Sequence, residues 1–411
     1  MKRLTIIINS CNHIGIIKTF HKVIDHILNC LLDQRYSSHN IQDNLILFMS
    51  DPDFSDNSRV LFDYMVEQGL NTKYQLVWVV TNHTSYSILK EKNISCVLRY
   101  SIFPAKNGKR FLNYARTARW IFHTHGFSNY DGRRKGQTII NLRHGGMGFK
   151  QVKNILAWTG RENDFNIISG ISEITISSAL IFHNCCREQL LPLGCMRNDL
   201  LFKHKKIDFL DSTSDKKILW MPTYRESEDS SISNNTLIQS KTGFPILYTP
   251  EMMIKFNEHL KLRNIQVFRT VHVLQKMDAL SLPDLSNIHL LTNSDLDDKD
   301  IQMYEIFNHF DAMISDYSSA SFDYLYLDRP LGYTLDDFDA YSNSRGFIMD
   351  NPIDYMPGHH MYTYSDLIKF IDDIAMNNDQ YASERKRVKE LVGLVEGGTS
   401  CQKLVEYFGI N

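Results

Sequence analysis

The sequence has none of several features that would assign it to a familiar class. None of its apolar runs approaches the ~18 residues of a membrane-spanning helix. Its 45 basic and 47 acidic residues nearly cancel, so the molecule as a whole is not built to attract polyanions. Its seven cysteines form no CxxC pair, which favours a reducing compartment over a disulfide framework. A Walker A loop and a GxGxxG turn are also missing, so ATPase and dinucleotide-binding functions lack their phosphate cradle.

Short apolar segments alternate with longer amphipathic ones through most of the 411 residues. This alternation is typical of parallel strands joined by crossover helices, and the length suits two domains. We therefore predict an α/β fold of two doubly wound, Rossmann-like domains with a cleft between them. The predicted strands are Asn44–Met49, Gln75–Val80, Trp120–Thr124, Thr138–Leu142, Ile218–Met221, Ile265–Thr270, Ile288–Leu291, Ala312–Ser315 and Leu331–Tyr333. The predicted helices include Ser58–Gln68, Lys106–Trp120, Glu251–Leu262, Ile301–Phe310, Ser319–Leu327 and Tyr364–Met376.

The polar stretch Lys203–Lys217 has little apolar periodicity and precedes a strong strand, so it marks the expected boundary between the domains. The predicted division is residues 1–43 as an extension with an amphipathic helix, 44–205 as an acceptor-binding domain, 206–385 as a nucleotide-donor-binding domain and 386–411 as a C-terminal helix. This last helix is expected to pack back on the first domain.

Local charge is more informative than net charge. Residues 101–160 contain eleven bases and one acid, Asp131. In the predicted helix Lys106–Trp120 the bases are interleaved with aromatic side chains, a composition typical of interfacial helices. A solvated helix that also covers the core is the alternative. The residues predicted to contact an anionic membrane surface or polyanion are Lys106, Lys109, Arg110, Arg116 and Arg119.

A serine-rich turn follows the predicted strand Ala312–Ser315. The segment Asp316-Tyr317-Ser318-Ser319 leads from this strand into a helix. Hydroxyl groups and free backbone N–H groups at such a junction bind anions, and the carboxyl end of a parallel strand faces the ligand crevice. The turn therefore favours a diphosphate site, with simple capping of the helix by Ser318 or Ser319 as the alternative.

Three further strand ends carry polar groups that suit phosphate chemistry. His144 opens the loop His144-Gly145-Gly146, where glycines allow a substrate to approach the backbone and an imidazole can accept a proton near neutral pH. Arg225 follows the strand Ile218–Met221 and suits bidentate phosphate binding. His272 follows the strand Ile265–Thr270 in the same predicted domain.

Taken together, these segments resemble the CDP-glycerol glycerophosphotransferases, the teichoic-acid and capsule polymerases and primases of bacteria. The similarity covers roughly residues 44–400. The matching motifs, in order, are His144-Gly145, Gly194-Cys195-Met196-Arg197-Asn198-Asp199, Pro222-Thr223-Tyr224-Arg225, His272, Asp316-Tyr317-Ser318-Ser319 with Phe322-Asp323-Tyr324-Leu325 and Asp328-Arg329-Pro330, and Arg345-Gly346-Phe347.

The resemblance implies a glycosyltransferase-B-like (GT-B-like) architecture in which the C-terminal domain holds the nucleotide donor. It implies that His144 is the catalytic base and that Asp199 orients His144 or the acceptor. The donor-binding residues that it implies are Arg225, His272, Asp316, Ser318, Ser319 and Arg345. The family usually has His-Gly-Thr-Pro, His-Pro and Tyr-Pro-Arg-Asn-Asp where this chain has His144-Gly145-Gly146-Met147, His272-Val273 and Cys195-Met196-Arg197-Asn198-Asp199.

The implied reaction is transfer of glycerol phosphate, or a related alditol phosphate such as that of CDP-ribitol, to a hydroxyl of a polymeric or lipid-linked acceptor, with release of CMP. Fixed donors would neutralise the phosphoryl oxygens, so neither a metal nor a separate cofactor is required. We expect no nucleic-acid partner. The expected location is the cytoplasm, peripheral to the inner face of the cell membrane.

Four other functions remain open. A DxD motif, Asp51-Pro52-Asp53, follows a strand and suggests a metal-dependent glycosyltransferase. A GT-B enzyme that transfers a true sugar would need the same diphosphate site. A non-catalytic binder of anionic polymer or lipid would use the basic helix alone. Metal ligation is the fourth, through His123-Thr124-His125, His359-His360 or Cys185-Cys186.

Overall fold

The computed structural model describes residues 40–99, 106–125, 134–144, 147–149, 164–183, 185–211, 215–223, 242–271 and 283–411, with the backbone alone for 106–109. The structural statements below concern these residues. The predicted amphipathic helix of the extension at residues 1–43 lies outside them.

The first half of the chain forms a seven-stranded sheet in which every described strand pair is parallel. The strand order is β3-β2-β1-β4-β5-β6-β7. Leu45, Ile46, Leu47 and Phe48 in the central strand are completely buried, as expected for a parallel strand that is covered on both faces. The strands are β1 (Gln42–Met49), β2 (Gln75–Val80), β3 (Cys96–Leu98), β4 (Ala118–His123), β5 (Thr138–Asn141), β6 (Asp164–Ile167) and β7 (Leu190–Leu191).

The second half forms a six-stranded parallel sheet with the order β10-β9-β8-β11-β12-β13. In both sheets the strand order reverses direction along the chain beside the first strand, which is the switch point where α/β proteins bind ligands. The strands are β8 (Lys216–Trp220), β9 (Ile265–Thr270), β10 (Ile288–Leu291), β11 (Ala312–Ser315), β12 (Leu331–Thr334) and β13 (His359–Met361).

Helices connect most of these strands, which confirms the predicted α/β class of two doubly wound parallel sheets. The α-helices are α1 (Asp56–Glu67), α2 (His83–Glu91), α3 (Lys106–Thr117), α4 (Glu173–His183), α5 (Asp208–Asp211), α6 (Pro250–Arg263), α7 (Asn293–Asp297), α8 (Ala320–Tyr324), α9 (Phe338–Ser344), α10 (Tyr364–Ala375), α11 (Ala382–Val392) and α12 (Ser400–Tyr407). Short 3₁₀ helices occupy Leu70–Thr72, Arg187–Gln189, Met196–Phe202, Met303–Glu305, Phe307–His309, Leu325–Leu327 and Pro352–Tyr355.

Two predicted helices were wrong in form. The basic helix ends at Thr117, and Trp120 belongs to the next strand, β4. The segment Ile301–Phe310 contains two 3₁₀ turns instead of an α-helix. Its apolar side chains are buried on more than one side, so tertiary packing overrides the helical period.

The C-terminal segment returns from the second sheet to the first. Gly170 forms an antiparallel bridge with Leu394, and the Thr175 hydroxyl donates to the carbonyl of Val392 over 2.7 Å. A Cβ atom on Gly170 would lie 2.3 Å from the Val392 oxygen, so the close approach requires glycine. These contacts are compatible with the predicted return of the C-terminal helix, whereas the domain boundaries at 43, 205 and 385 stay a prediction.

Candidate active site

The carboxyl ends of three neighbouring strands of the first sheet bring together side chains that are far apart in sequence. Met49, His123 and Asn141 are aligned in register at the ends of β1, β4 and β5. Asp56 at the start of α1, His125 and His144 follow these three strands respectively, so the three side chains meet at one edge of the sheet.

His144 is held by a carboxylate that the sequence did not reveal. Its Nδ1 atom lies 2.8 Å from Oδ2 of Asp56. The Asp56 side chain is 9% exposed and that of His144 is 63% exposed. Burial opposes the ionisation of Asp56, but the hydrogen bond with His144 and the charge of Arg197 outweigh it and lower the Asp56 pKa. An ionised carboxylate only accepts, so Nδ1 carries the proton and Nε2 is left to accept one.

The backbone before His144 is fixed by one buried amide. Asn57 donates through Nδ2 to the carbonyls of Leu142 at 3.1 Å and Arg143 at 2.9 Å. Arg143 has φ of 62°, a left-handed conformation that turns the chain sharply at the end of β5. His144 therefore leaves the sheet in a defined direction.

The His125 ring packs on the His144 ring, with centroids 4.3 Å apart. The His125 pKa is lowered, first by loss of hydration and then by repulsion from His144. A neutral His125 adds no competing charge beside Asp56.

The second sheet presents the serine turn at its own carboxyl edge. Ser318 and Ser319 are half-buried, and α8 begins at Ala320. Among the described residues Ser319 makes no side-chain capping hydrogen bond, and Ser318 accepts one from the Ala320 N–H at a long 3.4 Å. Capping of α8 therefore does not explain why two serine hydroxyls lie at this turn.

Asp316 at the start of this turn connects two strand ends. It is completely buried, and its two oxygens accept from the backbone N–H of Thr223 at 2.7 Å and the Thr223 hydroxyl at 2.6 Å. Asp316 thus links the loop after β8 to the turn after β11, and its contact with the donor stays a prediction.

An aromatic cluster connects the serine turn to the segment that contains Arg345. The buried Tyr317 donates to Oδ1 of Asp337 at 2.8 Å, and its ring lies 5.2 Å from that of Phe347. Arg345 is half-buried and two residues from Phe347. The predicted Arg225 and His272 lie outside the described residues, which reach Thr223 and Val271 at the carboxyl ends of β8 and β9.

The His144 loop and the serine turn are in contact across the two halves. A Cβ atom on Gly148 would lie 3.6 Å from Cβ of Ser319, and the rings of Phe149 and Phe322 stack with centroids 4.6 Å apart. Four residues of chain span at most about 14 Å, so His144 lies within that distance of Gly148. The segment that follows the proposed base thus contacts the proposed phosphate site.

Asp199 does not contact His144 through any described bond. Its carboxylate accepts from the backbone N–H of Ser400 at 2.9 Å and of Cys401 at 2.8 Å, at the start of α12. Both oxygens therefore satisfy the N-terminus of the last helix. The predicted role of Asp199 in orienting His144 or the acceptor stays a prediction, whereas the carboxylate that contacts His144 is that of Asp56. The Asp56-Asn57-Ser58 segment reads in sequence as an ordinary helix start, which is why it escaped notice.

The basic helix is only partly available for contact with anions. Arg110 is exposed and donates to the Tyr114 hydroxyl at 3.2 Å. Arg116 is 4% exposed, and Arg119 donates to the carbonyl of Gly136 while its guanidinium lies over the Trp120 ring. The prediction of a surface contact is therefore wrong for Arg116, because the helix packs that side against the sheet. The side chains of Lys106 and Lys109 lie outside the described residues.

The described residues contain no cluster of three His, Cys, Asp or Glu side chains that could hold a metal ion. Asp53 of the DxD motif accepts instead from the backbone N–H of Thr81 at 2.8 Å and from Asn82. Across the same part of the chain, no helix combines the length and the apolar character needed to cross a membrane.

Known proteins resemble this chain over nearly all of its length. A family model described as CDP-glycerol:poly(glycerophosphate) glycerophosphotransferase matches residues 31–408. A teichoic acid glycerol-phosphate transferase of Staphylococcus aureus is 25% identical over 393 residues, covering 88% of this chain and 92% of that protein. A teichoic acid poly(glycerol phosphate) polymerase of Staphylococcus epidermidis is 23% identical and covers 94% of this chain but 54% of that protein.

The fold is also that of a solved relative. The structure of the wall teichoic acid polymerase TagF superposes with a TM-score of 0.69 at 20% identity, covering 95% of this chain and 97% of that chain. This likeness agrees with the two parallel sheets described above. Because the family model covers residues 31–408, which include both sheets, the chain is a transferase that belongs to the CDP-glycerol:poly(glycerophosphate) glycerophosphotransferase family.

Proposed function

We propose that this enzyme transfers glycerol phosphate from CDP-glycerol to a hydroxyl of a teichoic-acid-type polymer or its lipid-linked precursor, with His144 as the general base. The observation that carries the proposal is the hydrogen-bonded pair of His144 and Asp56, whose loop touches the serine turn at Gly148. This arrangement joins a proton acceptor to an anion site within one cleft.

The reaction needs one proton transfer and one substitution at phosphorus. His144 Nε2 takes the proton of the acceptor hydroxyl, whose oxygen forms a bond to the distal phosphorus. The bond from that phosphorus to the CMP oxygen breaks, and CMP leaves with the electron pair. His144 is exposed enough for an acceptor chain to reach it, and Asp56 stabilises the imidazolium that forms.

The donor phosphates are proposed to bind at the serine turn. The half-buried hydroxyls of Ser318 and Ser319 supply hydrogen bonds, and Arg345 supplies positive charge from the neighbouring loop. Arg225 and His272 complete the proposed set from the segments after β8 and β9, on the basis of the family resemblance. Asp316 fixes the turn to the loop after β8, because its carboxylate accepts from Thr223.

Contact with an anionic membrane or a polyanionic acceptor is proposed through the exposed Arg110, together with Lys106 and Lys109 of the same helix. The relatives named above act on teichoic acids, which supports a position at the inner face of the cell membrane. Such binding should weaken as salt rises, because screening acts on exposed charges.

A panel of CDP-glycerol, CDP-ribitol and nucleotide sugars tests the reaction class. Release of CMP from a CDP-alditol, with polymer growth on a lipid-linked acceptor, is the expected result. Release of a nucleoside diphosphate from a nucleotide sugar would instead identify sugar transfer at an anomeric carbon. Polymer binding without turnover of any donor would identify a binding protein.

Two substitutions test the proposed roles separately. His144→Ala should lower kcat about 1,000-fold, within the range for loss of a general base, and leave the affinity for CDP-glycerol largely unchanged. Ser319→Ala should weaken CDP-glycerol binding several-fold because one donor to the phosphates is lost.

Exposed residues provide the controls. His204→Ala removes an exposed histidine and Ser177→Ala an exposed serine, and neither should alter turnover or donor affinity. Wild-type turnover by His144→Ala would show that this residue is not the general base. His272→Ala should also weaken CDP-glycerol binding. Unaltered donor affinity in both Ser319→Ala and His272→Ala would show that the diphosphate does not bind at the serine turn.

A further inference from the structure

A single buried cation connects the two halves beside the proposed base. Arg197 is 8% exposed and lies in the 3₁₀ helix Met196–Phe202. Its Nη2 atom donates to Oδ2 of Asp323 at 2.8 Å, and its Nη1 atom lies 3.5 Å from Oδ1 of Asp56. Asp56 is the partner of His144, and Asp323 belongs to α8, the helix that follows the serine turn.

The Asp323 end of this connection is rigid. Oδ1 of Asp323 accepts from Nδ2 of Asn198 at 2.9 Å, and Oδ2 also accepts from the hydroxyl of Tyr304 at 2.6 Å. The Arg197 guanidinium lies 4.3 Å from the Tyr304 ring centroid, a cation–π contact in a water-poor site. Arg197 is thus held by two groups of the second half, the Asp323 carboxylate and the Tyr304 ring.

The Asp56 end is held through the backbone as well. The N–H of Arg197 donates to Oδ1 of Asn57 at 2.7 Å. The same Asn57 side chain holds the carbonyls of Leu142 and Arg143, directly before His144. Arg197 therefore contacts Asp56 and α8 directly, and it contacts the residues before His144 through Asn57.

We propose that Arg197 is a positioning residue that links the donor-binding turn to the His144–Asp56 pair. Through this link, the packing of α8 against the first sheet orients the base. This inference rests on the proposed function. Arg197 touches neither the reacting hydroxyl nor the phosphorus, and it acts through Asp56.

The charges of the cluster suit this role. Asp56 and Asp323 contribute two negative charges and Arg197 one positive charge, so the cluster carries one net negative charge while His144 is neutral. When the acceptor proton reaches His144, the net charge becomes zero. The attraction of the Asp56 carboxylate for the imidazolium therefore favours the proton transfer, and the 63% exposure of His144 reduces this attraction.

Loss of Arg197 would leave two buried carboxylates without their cation. The pKa of Asp56 should then rise, because burial already opposes its ionisation and the charge of Arg197 is one of the influences that offset it. The charged or titratable groups that face this carboxylate are His144 from the loop after β5 and both Cys195 and Arg197 from the segment after β7. His125 from the loop after β4 lies beyond His144, and Asp323 lies beyond Arg197.

Arg197→Gln and Asp323→Asn test the link because they should move the pH–rate profile in opposite directions. Arg197→Gln should lower kcat about 100-fold. It should also shift the acid limb of the profile, where protonation of the His144–Asp56 pair stops the reaction, to higher pH. Asp323→Asn should shift the acid limb to lower pH, because the charge of Arg197 then acts on Asp56 alone. Arg197→Lys, which keeps the charge but not the planar fork, should recover the pH profile better than kcat.

Arg385→Gln is the matched control for the loss of a buried cation. Arg385 is 1% exposed and pairs with Asp379 and Asp328, away from the His144 loop. This variant should lose stability in thermal unfolding and keep the wild-type pH profile. If Arg197→Gln is folded and keeps both the wild-type kcat and the wild-type profile, the inference is overturned.

Two further results keep the inference testable and separate from the proposed function. If Arg197→Gln does not fold, an unmoved profile in Asp323→Asn overturns the link by itself. If His144→Ala is fully active, the proposed base is wrong. If His144→Ala is inactive while neither Arg197→Gln nor Asp323→Asn moves the profile, only the link is wrong.

Discussion

Replacement of Asp56 by Asn removes the charge that orients His144 and changes the shape of the side chain very little. The Asp56 carboxylate accepts from Nδ1 of His144 at 2.8 Å. An amide can present either an acceptor or a donor to the ring, so His144 is no longer held with the proton on Nδ1. Part of the population then has the proton on Nε2, where it blocks the proposed proton transfer.

The expected loss follows from the exposure of the pair. A positioned general base contributes about 100- to 10,000-fold to the rate. Because His144 is 63% exposed, water replaces part of the lost interaction. We therefore expect kcat to fall about 100- to 1,000-fold, equivalent to about 2.7–4.1 kcal/mol in the barrier. The affinity for CDP-glycerol should change less than about twofold, since Asp56 is not part of the proposed donor set.

The assay is CMP release from CDP-glycerol at saturating acceptor, measured for Asp56→Asn, His144→Ala and the double variant. Asp56→Asn should have little further effect on the His144→Ala background, because the two residues act as one unit. Asp53→Asn is the control. Asp53 precedes Asp56 in the segment after β1, its carboxylate accepts from Thr81 after β2, and its replacement should leave kcat near wild type. A threefold or smaller effect of Asp56→Asn, or an equal loss on both backgrounds, would refute the orienting role.

Two further predictions concern stability. Asp199→Ala should lower the free energy of unfolding by about 1–3 kcal/mol, measured by thermal or urea unfolding, because two backbone N–H groups at the start of α12 lose their acceptor; an unchanged transition would contradict the cap. His183 is 3% exposed, and burial, followed by the charge of Arg143, lowers its pKa to about 3. The unfolded chain binds this proton below about pH 6.5 and the folded chain does not, so stability should fall by about 1.4 kcal/mol per pH unit from pH 6.5 towards 3. Urea unfolding of wild type and His183→Asn at pH 7 and 5 checks this, and an equal pH dependence in both would contradict it.

The strands with the strongest apolar character were predictable from sequence. The bounds of Gln75–Val80, Ile265–Thr270, Ile288–Leu291 and Ala312–Ser315 agree with the structure, because parallel strands buried on both faces need continuous apolar runs. Short strands such as β7 and β13 were not predicted. Two or three residues carry no periodic signal, and their pairing partners are distant in sequence.

The basic helix illustrates where sequence patterns are ambiguous. Arg110 and Arg116 have the same chemistry and lie on one helix, yet one is exposed and the other is buried. Periodicity indicates that a helix has two faces, but the packing of α3 against the sheet decides which arginine faces water.

The sequence by itself determined the alternation of strands and helices, the family, and the two segments that carry the proposed chemistry, His144 and the serine turn. These follow from local order along the chain, because each is a strand end with its own polar or glycine-rich turn. Only the tertiary structure decided that Asp56 contacts His144, that Asp199 caps the last helix and that Arg197 joins Asp56 to Asp323. Those contacts link residues 88, 201, 141 and 126 positions apart. Parallel strands place their carboxyl ends at one edge whatever their separation in sequence, so such partners become visible only when the strand order is known.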